Sequence, residues 1–164
     1  MQKILNPTWD NAIKIFDWEN YISNDFNNER DLCNFIELNK IEFAKEILEI
    51  DYKSHKREFY LGTGRRYIDK NMARVDFLFT SQTNQNIIIE CKNPSNTYTE
   101  LRNGLIQLMA YYCDCKIYGF KVDRMILVTT KFNPIIQLII KEFKLNIEVI
   151  VFSKAQCMKL YMQN

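Results

Sequence analysis

The chain has one histidine, His55, which removes the reaction classes that need a histidine base together with a second histidine as ligand or partner. Chemistry here must lean on carboxylates and lysine. Cysteine is sparse and odd in number: Cys33, Cys91, Cys113, Cys115 and Cys157 include no Cys-x-x-Cys pair and no His-x-x-x-His partner. Neither a disulfide framework nor a standard zinc site is indicated, and reduced thiols in a cytosol are the simpler account. Four Gly and three Pro lie scattered, so no Gly- or Pro-rich linker divides the sequence. No stretch approaches the roughly 20 apolar residues of a membrane span, and the first 26 residues hold no continuous apolar run. A soluble cytoplasmic protein with no membrane partner is expected. A dominant charge is missing too: 22 Lys+Arg against 20 Asp+Glu leave +2, so affinity for nucleic acid must rest on local clustering.

What is present is core-forming. A length of 164 residues, 47% of them hydrophobic and 13% aromatic, suits one domain over 1–164. Trp9, Ile13 and Phe16 at near-helical spacing predict an accessory helix over 8–22, followed by an Asn/Asp-rich loop to residue 28. Three- and four-residue steps of apolar residues predict one or two helices over 29–50. The period then changes. Strands are predicted at 58–61, around Val75, Phe77 and Phe79, and at 87–92. Thr97-Tyr98-Thr99-Glu100 fits a capping box opening a helix to about residue 116, with Leu101, Leu105, Leu108, Met109 and Tyr112 as its buried stripe. A strand at 125–130, a helix opened by Asn133-Pro134 and a last strand at 147–152 complete the order, before a tail over 154–164. A three-strand meander followed by helical crossovers predicts an α/β fold with a mixed sheet and helices on its faces.

The polar segment Ser81-Gln82-Thr83-Asn84-Gln85 joins two apolar strands that should pair as a hairpin. A turn centred at Thr83 sets Asp76 opposite Glu90, each seven residues away, and period-two alternation puts Lys92 on the face of Glu90. Facing carboxylates repel unless a positive charge sits between them. A hard divalent cation, Mg²⁺ or Mn²⁺, supplies that charge and can accept phosphate oxygens, with Lys92 orienting water or stabilising charge. The same three residues also fit a solvated hairpin face carrying a cross-strand ion pair.

Asp76, Glu90-Cys91-Lys92 and Gln107-Leu108-Met109-Ala110-Tyr111, in this element order over 29–152, resemble the PD-(D/E)XK nuclease superfamily. The last segment is similar to the Gln-x-x-x-Tyr motif of its RecB-like branch. The resemblance implies a restriction endonuclease-like αβββαβ core and metal-dependent hydrolysis of DNA. Asp76 and Glu90 would be metal ligands, Lys92 the water-orienting group and Gln107 a site-lining residue. Such families often add an acidic residue from the first helix: Glu29 is the candidate, with Glu37 and Glu46 as competitors. Val75 stands where the family often has Pro. Some RecB-like members carry an iron–sulfur cluster, but these cysteines do not reproduce that spacing and none is expected.

Gln107 and Tyr111 lie one helical turn apart and could face the site together, although an ordinary boundary pair has the same spacing. The one local basic run includes Lys56, Arg57, Arg65, Arg66 and Arg74, interleaved with Tyr60 and Tyr67 around Gly62-Thr63-Gly64. It could grip phosphates, with Tyr111 added from the helix, or form a solvated charged hairpin. Cys91 reads as plain core. A homodimer through the last strand or the tail is an option, since two nicks on a duplex suit a two-fold axis. The richness in Asn, Ile and Lys hints at an AT-rich genome, compatible with a virus, in whose host the protein would act, or a mobile element. The alternative from another class is a non-catalytic module binding nucleic acid or protein.

Overall fold

The computed structural model describes residues 13–15, 26–61 and 74–152. Its centre is a mixed six-stranded sheet in the order β1-β6-β5-β4-β3-β2, where β1 is Ile13–Ile15, β2 Tyr52–Tyr60, β3 Arg74–Ser81, β4 Asn86–Lys92, β5 Arg124–Thr129 and β6 Glu148–Val151. The helices are α1 Glu29–Leu38, α2 Lys40–Glu42, α3 Thr97–Tyr118 and α4 Pro134–Glu142. Strands β2, β3 and β4 form the antiparallel meander, and β5 and β6, each reached through a helix, run parallel to their neighbours. From Glu29 onward the expected order and mixed topology stand. Among the described residues no helix is long and apolar enough to cross a membrane.

Two apolar clusters sandwich the sheet. On one face Leu32, Ile36, Phe43 and Leu48 from the first helices cover Phe77, Phe79, Ile87 and Ile89. On the other, Leu101, Leu105 and Leu108 of α3 and Ile136 and Ile140 of α4 cover Leu78, Ile88, Met125 and Leu127. Alternation over 77–79 and 87–89 sends odd and even positions to opposite clusters, and burial on both faces explains the run Ile87-Ile88-Ile89.

Several local expectations are corrected. Periodicity predicts a helix through Ile13–Ile15, yet these residues pair parallel with β6, because isoleucines alternating with lysine suit an added edge strand. The rest of that predicted helix, and the tail over 154–164, lie outside the described residues. Strand β1 is the outer neighbour of β6 in the sheet. Strand β2 begins at Tyr52, six residues before the predicted strand, as its polar side chains hid an outer strand. In α3 the cap is Asn96, whose side chain accepts from the Thr99 N–H, while Glu100 accepts from the Asn96 N–H. The buried stripe of α3 runs Leu101, Gly104, Leu105, Leu108, Tyr111, Cys115; Met109 is exposed and Tyr112 only half-buried. The α2 turn widens into a π-type turn over Phe43–Ile47, which carries Phe43, Ala44 and Ile47 into the core.

Candidate functional site

The hairpin register is centred on Thr83: Phe77 pairs with Ile89, Leu78 with Ile88, Phe79 with Ile87 and Thr80 with Asn86. Extending it by one step sets Asp76 against Glu90. There the sheet forks. Strand β3 continues with β2 through Val75 and Arg74, while β4 continues with β5 through Glu90, Cys91 and Lys92. In the fork Asp76 Oδ2 accepts the Cys91 N–H at 2.7 Å. A side chain thus satisfies the backbone donor that a strand partner no longer reaches.

Lys92 Nζ lies 2.5 Å from Glu90 Oε1 and 3.5 Å from Glu29 Oε2. Glu29 opens α1, and Asn28 caps that helix by accepting the Asp31 N–H, which fixes how the chain enters the site. Glu29 is therefore the first-helix acid beside the lysine. Glu37 instead holds His55 at 2.9 Å and Glu46 pairs with Lys45, so neither competitor is at the fork. Helix α3 supplies the wall behind Lys92 at Gly104, where a Cβ would stand 3.3 Å from Lys92 Cγ and 2.7 Å from Leu127 Cδ1. A side chain here would push the Leu127 methyl aside and crowd the lysine stem.

Three carboxylates surround one ammonium, and burial raises the cost of each charge. Burial first, then the Asp76 charge, pushes the Glu90 carboxyl up to about 7, with Lys92 opposing but not cancelling the effect. Asp76 and Glu29 are raised as well, each chiefly by burial. Burial works against the Lys92 ammonium, but Glu90, Glu29 and Asp76 outweigh it and raise its pKa. Glu90 Oε2 is buried and has no hydrogen-bond partner. A buried carboxylate oxygen left open, in a set of hard oxygen donors with negative charge in excess, fits a divalent cation such as Mg²⁺ or Mn²⁺.

A cleft of about 580 Å³ opens in front of the fork, lined by Glu29, Arg30, Cys33, Asn34, Arg57, Glu58, Arg74 and Asp76. Arg57 donates to Asn34 Oδ1 at 2.8 Å, and Arg74 pairs loosely with Glu58 at 3.5 Å. Three arginines and three carboxylates thus share the cleft lining. Lys56 points away, its ammonium over the Phe59 ring at 4.7 Å, and so stands apart from the site. Arg65 and Arg66, with Gly62, Gly64 and Tyr67, lie outside the described residues. Gln107 Nε2 reaches the Tyr111 hydroxyl at 3.5 Å. Tyr111 is buried rather than presented to a ligand, and burial followed by the Glu90 and Asp76 charges raises its phenol pKa. Its place is behind Glu90, not on a DNA-facing surface, because residue 111 falls on the stripe set by Leu101, Leu105 and Leu108.

Sequence reasoning missed Arg30, Asn34, Glu58, Gly104 and Cys33. A mid-helix glycine is a signal that could have been followed, since it costs helix stability unless something needs the space. Cys33 comes together with Cys91 and Asp76, one sulfur or oxygen of each lying within 4.8 Å of the others. No spacing rule connects residues that far apart in sequence.

The crystal structure of a repair endonuclease from Pyrococcus abyssi overlaps this chain with a TM-score of 0.51 at 17% identity, over 80% of this chain and 49% of its own. The two share a fold. The chain spans about half the length of that endonuclease. A complex of EndoMS with double-stranded DNA overlaps with a TM-score of 0.41 at 17% identity, over 72% of this chain and 45% of that one, too low to carry an argument. No protein-family model and no curated protein matches the sequence.

Proposed function

We propose that this chain is a metal-dependent deoxyribonuclease of the PD-(D/E)XK type. The observation that carries the proposal is the sheet fork, which gathers Asp76, Glu90, Lys92 and Glu29 and leaves Glu90 Oε2 open, on a fold shared with a repair endonuclease. Asp76 and Glu90, joined by Glu29, would hold Mg²⁺ or Mn²⁺. Such an ion, when bound, lowers the pKa of water and neutralises charge developing on the phosphate.

The remaining roles belong to the chain itself. Lys92 keeps its charge and sits against Glu90, placed to orient water or stabilise a phosphate oxygen. Arg30, Arg57 and Arg74 on the cleft rim receive the DNA backbone. Gln107 and Tyr111 brace Glu90 from α3 and are positioning residues. Purified protein incubated with linear and supercoiled DNA in Mg²⁺, Mn²⁺ or EDTA tests the reading, alongside Glu90→Ala and Lys92→Ala. Metal-dependent cleavage lost in both variants supports it, and full activity in either one sinks it.

A second reading, a binding module without turnover, is favoured by one feature: Glu90 and Lys92 are buried and bonded to each other. It predicts salt-sensitive retention of DNA in a gel shift with no cleavage on any substrate.

A further inference from the structure

We propose that Cys33, Asp76 and Cys91 form a second cation site, for a thiophilic divalent ion of the Zn²⁺ or Cd²⁺ class, which shares Asp76 with the hydrolytic centre. The three residues come from α1, β3 and β4, and their ligand atoms lie within 4.8 Å of one another. Zinc bonds of about 2.3 Å to sulfur and 2.0–2.2 Å to oxygen put tetrahedral ligands about 3.5–3.8 Å apart. The separations exceed those by at most about 1.3 Å. The Cys91 backbone N–H holds Asp76 Oδ2 at 2.7 Å, which keeps the carboxylate beside the residue that carries one of the two sulfurs.

The chemistry of the donors separates this site from the first. Two sulfurs and one carboxylate select a soft or borderline ion, whereas Glu29, Asp76 and Glu90 offer only oxygen. Cys33 and Asp76 line the cleft, which gives an entry path and leaves a fourth position for water. A bound ion fixes Asp76 on its sulfur side. The expected consequence is inhibition of the hydrolytic centre, and that part alone rests on the nuclease reading.

Co²⁺ titration of the metal-stripped full chain tests the site without reference to activity. One equivalent should produce a thiolate-to-cobalt charge-transfer absorption that Zn²⁺ abolishes, that is lost in Cys33→Ala and in Cys91→Ala, and that survives in Cys113→Ala. Absence of the band, or its survival in Cys33→Ala, overturns the proposal. A wild-type measurement guards against a variant that fails to fold: with Mg²⁺ present, one equivalent of Zn²⁺ should raise the urea midpoint of the wild-type chain, and no rise overturns the site. One equivalent of Zn²⁺ should also suppress Mg²⁺-dependent cleavage in the wild type and lose that effect in Cys33→Ala, each judged against its own Mg²⁺ activity. Cleavage without the thiolate band refutes the site and leaves the nuclease standing. The band without cleavage on any DNA does the reverse.

Discussion

The fork stores a measurable cost in Glu90, and pH is the perturbation that reveals it. Its carboxyl is moved from an ordinary 4.5 to about 7 in the folded protein, chiefly by burial. Between those values the native state keeps a proton that the unfolded chain has released, so stability falls as pH rises through the window. At about 1.4 kcal/mol per pH unit, the loss is about 3 kcal/mol when the pH passes 7. Asp76 and Glu29 are raised too and add in the same direction. Lys92 has the opposite linkage: its contribution is fully present below an ordinary 10.5 and is lost only at higher pH, outside the window. Glu100 and Asp123 are lowered by hydrogen bonds, and the stability they add is already complete near pH 5.

Urea unfolding in EDTA at pH 5, 6, 7 and 8 reads this directly through the extrapolated free energy. Stability should drop by about 2.5 kcal/mol or more from pH 5 to pH 8, a large share of the roughly 5–15 kcal/mol typical of a domain. Glu90→Gln keeps the shape and removes the ionisation, so its profile should be flatter and cross the wild type's. A wild-type profile that is level or rising over this range, or a Glu90→Gln profile with the wild-type slope, would refute the burial argument.

Further outcomes follow from the geometry. Gly104→Ala should lower activity and cost about 0–2 kcal/mol net in urea unfolding, because the roughly 1–3 kcal/mol of crowding against Leu127 and the Lys92 stem is offset by roughly 1 kcal/mol of helix propensity. Arg124 makes a two-point ion pair with Glu148 at 2.6 and 2.7 Å and donates to the Leu48 carbonyl. Arg124→Ala should therefore cost about 3 kcal/mol in urea unfolding, and Arg124→Lys should recover only part of it. Arg57→Ala should weaken DNA retention across sequences and reduce the salt dependence by about one phosphate contact, measured by gel shift at several salt concentrations.

The hairpin was legible because its register depends on two things visible in the chain: a short polar turn and strands buried on both faces. A one-residue slip would exchange Phe77, Phe79, Ile87 and Ile89 for the other face, so the pairing about Thr83 is tightly specified. Glu29 was readable as the residue that opens α1. Tyr52–Tyr60 was not, since an outer strand with one solvated face and four exposed polar positions has little hydrophobic signature. Nor was the meeting of Cys33 with Cys91, which depends on how α1 packs over β4. Local pattern carries period and punctuation, while the angle between a helix and a sheet is decided by side chains distant in sequence.

The site's position follows from hydrogen bonding rather than from side-chain chemistry alone. A continuous β3–β4 ladder would pair Asp76 with Glu90 backbone to backbone and spend the Cys91 N–H on a strand partner. By leaving that ladder after Phe77 and Ile89, the two strands free one donor, and Asp76 takes it. That bond aims one oxygen inward and leaves the carboxylate at the edge of the cleft, where Glu29 also lies. Glu90 cannot relax in the same way, because β4 remains paired to β5 on its other side, with Glu90 opposite Leu127 and Lys92 opposite Thr129. One carboxylate is therefore adjustable and the other fixed. The fixed one carries the larger rise in pKa and the open oxygen, so the fork holds in Glu90 a demand for positive charge that Lys92 meets only in part.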